Sequence, residues 1–122
     1  MQINPSRRRT RRPCPPSHYA GTTSQGEPIS FELTEHAAIT DVIATIRIGT
    51  RSELLAIAAV FPTEPNGTWS GTVSQPDVTL MIRGHLREDG TAEGELHVAF
   101  DGPTLHPSPV LVSWSARCSP HA

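Results

Sequence analysis

The feature that most constrains this chain is a two-residue apolar rhythm that recurs from Tyr19 almost to its end. Val78, Leu80, Ile82, Gly84 and Leu86 occupy alternate positions, opposed by Thr79, Arg83 and His85. After Arg87 the pattern resumes with Ala92, Gly94, Leu96, Val98 and Phe100, opposed by Thr91, Glu93, Glu95 and His97. Ile29, Phe31 and Leu33 repeat it, as do Val110, Val112, Trp114 and Ala116. Successive side chains of a strand point to opposite faces, whereas a helix gathers its apolar residues at spacings of three and four. A chain patterned in this way has to pleat and bury one face of each segment.

Short runs of this kind, separated by turn residues every 8–12 positions, are the signature of an all-β sandwich or barrel. Eight strands are predicted, over residues 18–24, 28–34, 39–48, 54–61, 67–73, 78–86, 91–100 and 110–117. The segment Glu53–Phe61 reads as a strand; a short helix capped by Ser52 is the alternative there, since Leu, Ala and Ile also favour helix. Consecutive strands joined by short turns make an antiparallel meander. Eight of them suit an up-and-down β-barrel of calycin-like form, which removes exposed sheet edges, and a two-sheet β-sandwich is the second choice.

The hairpins predict register. A three-residue loop Glu88-Asp89-Gly90, with glycine in the left-handed position, sets Arg87 opposite Thr91. Leu86 then meets Ala92, Gly84 meets Gly94, Ile82 meets Leu96 and Leu80 meets Val98, while Arg83 faces Glu95 and His85 faces Glu93. A two-residue loop would mix the two faces, so the pattern itself selects the longer one. Between the fifth and sixth strands, a loop Ser74-Gln75-Pro76-Asp77 sets Val73 opposite Val78, Gly71 opposite Leu80 and Trp69 near Ile82.

Residues 1–17 stand apart. They hold five arginines and four prolines without periodicity, and read as a disordered basic arm in front of one domain, residues 18–122. At 122 residues the chain has room for one core, and its 36% apolar content makes that core thin. The net charge of −2 is too small to hold the chain unfolded. No stretch reaches the roughly 18–20 apolar residues of a membrane-spanning helix. No apolar segment follows the arginines, so the sequence reads as lacking an export signal unless translation starts further upstream.

Residues 18–117 resemble a group of small, mostly secreted bacterial β domains of unknown function. The resemblance rests on Tyr19-x-Gly21-x-Thr23-Ser24-Gln25-Gly26, Gly67-x-Trp69-x-Gly71, Thr91-Ala92-x-Gly94-x-Leu96 and Val112-x-Trp114-x-Ala116-Arg117, together with Ile29-x-Phe31 and the Val78–Leu86 run. It implies the same β fold and a secreted or cell-envelope location, and it brings no catalytic residues. The chain departs from the group at Gly49-Thr50-Arg51-Ser52 and Pro107-Ser108-Pro109, where relatives commonly carry cysteine.

Little in the sequence points to chemistry. Its serines and threonines lack a nucleophile elbow or comparable context, and Asp41, Asp77, Asp89 and Asp101 read mostly as residues of turns and strand ends. His85 and His97 share a face but fall four residues apart along the ladder, roughly 13 Å at strand rise, too far for one metal ion. His18, His36, His106 and His121 read as turn or tail residues. No metal or other cofactor is expected. Cys14 and Cys118 would come close if the first and last strands pair; a disulfide between them and two exposed thiols are both open readings.

The inward aromatics Tyr19, Trp69 and Trp114 are the candidate ligand-binding residues. They suit a non-catalytic module that holds a small apolar ligand in the barrel mouth or engages a protein partner. Two alternatives stand beside it: a structural or cell-envelope-associated domain without a ligand, and weak nucleic-acid association through the arginine arm. Against the last, residues 18–122 hold all twelve carboxylates and only five of the ten basic residues. A packed interior is also compatible with a barrel of this size.

Overall fold

The computed structural model describes residues 17–76, 78–100 and 109–120. Among the described residues nine strands follow one another: β1 Ser17–Thr23, β2 Pro28–Leu33, β3 Ala38–Ile48, β4 Arg51–Ile57, β5 Phe61–Pro62, β6 Thr68–Gln75, β7 Val78–Leu86, β8 Thr91–Phe100 and β9 Val110–Pro120. All belong to one antiparallel sheet of order β4-β3-β2-β1-β9-β8-β7-β6, with β5 paired to β3 beside β4. This is the meander predicted from the sequence, curled into a barrel-like sheet rather than divided into a sandwich. The two ends of the chain's strand series meet in its middle, where Ser17 lies opposite Pro120 and Tyr19 opposite Cys118.

The ring is not fully closed. Among the described residues, β4 and β6 are the two outer strands of the sheet and share no ladder, so edges remain where the sequence predicted none. The single run expected at 54–61 is divided: β4 leaves β3 after Ile57, and the two-residue β5 pairs with β3 through Ile39 and Phe61. The strand alternative therefore holds over the helix at Glu53–Ile57. Across the opening, the Phe61 ring packs on β6 at Gly71, where a Cβ atom would lie 2.2 Å from its ring carbons.

The β7–β8 hairpin has the predicted register throughout, from Leu80 opposite Val98 to Leu86 opposite Ala92. Gly90 takes φ +90°, the conformation for which glycine suits this loop. The β6–β7 hairpin differs by two residues: Gln75 faces Val78, Val73 faces Leu80, Gly71 faces Ile82 and Trp69 faces Gly84. An even shift keeps every side chain on its face, so alternation alone cannot detect it. The observed pairing sets the largest side chain of β6 opposite a residue with no side chain.

Asp41 is also not at a strand end. It lies inside β3 with φ +54°, between Thr40 and Ile43 at a β-bulge where the register shifts between Ser30 and Glu32. The bulge restores burial after an irregular spacing: Ile39 points inward, and so do Val42, Ala44 and Ile46. Aspartate tolerates the left-handed region better than most residues.

One core fills the interior. Ile29, Phe31, Leu33, Ile82, Leu96 and Val112 are all buried, as the alternation predicts. By area, each such aliphatic or phenyl side chain contributes roughly 1.5–3 kcal/mol relative to exposure.

Candidate binding groove

Trp69, Gly84, Gly94, Trp114 and Thr23 stand side by side across β6, β7, β8, β9 and β1, forming one transverse row. The two glycines sit between the two tryptophans, and the indoles lean over them from inside the sheet. A Cβ on Gly84 would lie 2.8 Å from atoms of both indoles, and one on Gly94 would lie 2.6 Å from Trp114 and 2.0 Å from the Arg83 carbonyl oxygen. Backbone is therefore all that separates the indoles from the outer side of the sheet along this row.

On that outer side, the neighbouring rows carry polar side chains. An open groove of about 1010 Å³ lies over the glycine pair, walled by Ser70, Arg83, Glu93, Glu95, Ser113 and Ser115 among others. A second hollow of about 300 Å³ adjoins it and shares Thr22, Glu93 and Ser115. It continues the cleft toward Arg117.

The groove's charges are largely engaged with one another. Arg83 donates through Nε and Nη2 to Glu95 Oε1, at 3.0 and 2.6 Å, and Arg87 donates to Glu93. Such exposed pairs are worth about 0–1 kcal/mol, so they order the wall more than they stabilise the fold. Glu64, also on the lining, makes no ion pair among the described residues, which leaves the groove weakly acidic. The hydroxyls of Ser70, Ser113 and Ser115 add donors and acceptors along its length.

The three aromatic candidates do come together, but inside the core. Tyr19 stacks on Phe31 with ring centroids 4.9 Å apart, and Phe31 meets Trp69 and Trp114 edge-on at 5.4 and 5.5 Å. Trp69 and Trp114 lie 5.9 Å apart, and Phe61 reaches Trp69 at 5.7 Å. Tyr19 is 0% exposed and each tryptophan 3%. The rings fill the space in which a ligand of the barrel mouth would sit. Neither buried indole N–H has an acceptor among the described residues. Phe31 and Phe61 complete the cluster; the alternation marks Phe31 as core by its central place on a strand, but neither is among the candidate ligand-binding residues.

The remaining candidates are placed as follows. Cys118 lies on β9 opposite Tyr19, its backbone N–H donating to the Gly90 carbonyl at 2.8 Å, whereas Cys14 falls outside the described residues, as does the arginine arm. The expected adjacency of the first and last strands is thus present. His18 is not a tail residue: it lies on β1 across from Glu32, with Nδ1 2.5 Å from the carboxylate. His85 faces Glu93 in register, but its ring meets the Asn66 carbonyl at 3.1 Å, and Glu93 turns to Arg87. His97 lies across from Met81. His36 is exposed in a turn, and His106, His121, Asp77 and Asp101 fall outside the described residues. Among the described residues, no three His, Cys, Asp or Glu side chains converge as a metal site would require. No helix among them is long and apolar enough to cross a membrane.

No family model, curated protein or solved structure matches this chain.

Proposed function

We propose that this chain is a non-catalytic recognition module that binds an extended polar segment of a partner protein along the outer groove of β6–β9. The observation that carries the reading is the groove itself, set on a sheet whose interior is occupied by its own aromatic rings. Small-molecule sites are mostly enclosed, apolar and about 300–1,000 Å³ in size. This groove is open, hydroxyl-lined and at the upper limit of that range, and the adjoining hollow lengthens it. An extended chain, with its regular donors and acceptors, matches that shape and lining better than a compact apolar ligand does.

The test is capture from the native host with the full chain and with Ser113→Trp, which fills the groove from an exposed position without entering the core. The unaltered protein should retain a partner that the substituted one loses. Retention of the same partner by the filled groove would overturn the reading. So would a thermal shift with apolar small molecules that Ser113→Trp leaves unchanged, because it would place the ligand among Tyr19, Trp69 and Trp114 instead.

A further inference from the structure

We infer that the free edge of β4 pairs with β4 of a second copy of this chain, antiparallel about Leu54, to make a two-fold dimer. The surface is distinct from the groove. Among the described residues, β4 ends the sheet, with β3 on one side and no strand on the other. Gly49, at φ +63°, and Thr50 form a two-residue loop that makes Ile48 and Arg51 the first pair of the β3–β4 hairpin. Hydrogen-bonded and non-hydrogen-bonded pairs alternate from such a loop, so the backbone N–H and C=O groups of Ser52, Leu54 and Ala56 point away from β3.

Proteins usually blunt such an edge with lysine, proline or a bulge. Here the strand opens an uncharged run of eight residues, Leu54–Phe61, that contains neither glycine nor proline. Leu54 is 68% exposed, and Ile43, 42% exposed, lies across from Ala56 on the same outer face. From Leu54 on the edge is apolar and uncharged, with Arg51 and Glu53 confined to the start of the strand and paired with each other. An edge of that kind is a template that takes up another strand.

A second copy is the occupant that fits. Pairing about Leu54 overlaps the whole of β4 and sets Leu54 against its own copy, Ser52 against Ala56, Glu53 against Leu55 and Arg51 against Ile57. No like charges lie directly opposite, and an isologous contact closes on itself. The other free edge is a poorer match, because β6 turns Ser70, Thr72 and Ser74 outward. The chain before β1 is a poorer match as well: its arginine run offers no apolar alternation to set against Leu54, and its four prolines lack the N–H donors of a ladder.

Sedimentation velocity of the full chain over a range of concentrations should show the mass rising from 13.2 kDa toward twice that value. Leu54→Lys, an exposed substitution, should return it to the single-chain mass, while Thr72→Lys on the β6 edge should leave the dimer intact. A second measurement does not depend on weakening the contact. In a Cys14→Ser, Cys118→Ser background, Leu54→Cys should cross-link on mild oxidation, since directly opposed residues of a hydrogen-bonded pair lie about 5.5 Å apart, within disulfide reach. Thr72→Cys should not. A single-chain mass at every concentration would overturn the proposal, as would a dimer insensitive to Leu54→Lys or equal cross-linking at both positions. A partner captured in the groove by a single chain would leave the proposed function standing while this one falls.

Discussion

Gly94 carries more of the structure than its missing side chain suggests. A methyl group there would collide with the Arg83 carbonyl oxygen at 2.0 Å and with Trp114 at 2.6 Å. Backbone cannot yield as a flexible side chain can. Gly94→Ala is therefore expected to cost at least about 1–3 kcal/mol, the usual cost of overpacking, measured as a lowered denaturant midpoint. An unchanged midpoint would show that the indoles do not press on the glycine pair. A second residue-scale expectation concerns acid. The side chain and then the backbone N–H of Thr91 hydrogen-bond the Asp89 carboxylate, and the Arg87 and Arg117 charges add to them, so its pKa lies below the ordinary value. A carboxylate depressed in the folded state adds stability above its unfolded pKa, and that contribution fades as pH falls through the folded value. Asp89→Asn should accordingly flatten the acid limb of stability below about pH 4. Superimposable acid limbs in the two proteins would refute this.

At the scale of elements, the β7–β8 hairpin was the most legible part, because loop length and face parity agree on one register and the Arg83–Glu95 pair accords with it. The adjoining β6–β7 hairpin was legible only up to a slip of two residues. The choice there comes from Trp69 lying over Gly84, a packing fact that no single strand displays. The bulge at Asp41 was hidden for a similar reason: it depends on a left-handed backbone at a residue whose type also suits ordinary turns. The groove was the least legible feature. Ser70, Ser113 and Ser115 look in sequence like any solvated strand face, and only sheet curvature makes them walls. Convergence of Tyr19, Trp69 and Trp114 could be read from their inward parity, whereas the way Phe31 and Phe61 complete their packing could not. The hairpin pairing makes a quantitative expectation. Ile82→Ala and Leu96→Ala each remove a fully buried side chain and should cost about 2–5 kcal/mol in chemical denaturation. Because these two side chains lie directly opposite, the double variant should deviate from additivity by about 0.5 kcal/mol or more. Strict additivity would argue against their contact.

For the molecule as a whole, stability is expected to be uneven. Among the described residues, β7, β8, β9, β1, β2 and β3 each have a ladder on both sides, while β4 and β6 have one. In the single chain, amide exchange should therefore be slowest in β8 and β9 and faster in β4, whose outward N–H groups meet solvent. Slow exchange at Ser52, Leu54 and Ala56 that appears only as concentration rises would be the signature of the two-fold pairing.

The meeting of β1 with β9 also bears on how fast the chain folds. Every other ladder joins strands close in sequence, but this one must bring Tyr19 to Cys118 across nearly the whole polypeptide. A circular permutant that links Pro120 to Ser17 and opens the chain at residues 58–60 would turn that distant pairing into a local hairpin. Its contact order would fall while the finished sheet stayed the same. It should refold more quickly than the parent at similar stability, and a slower permutant would mean that the β1–β9 ladder is not what the folding chain waits for.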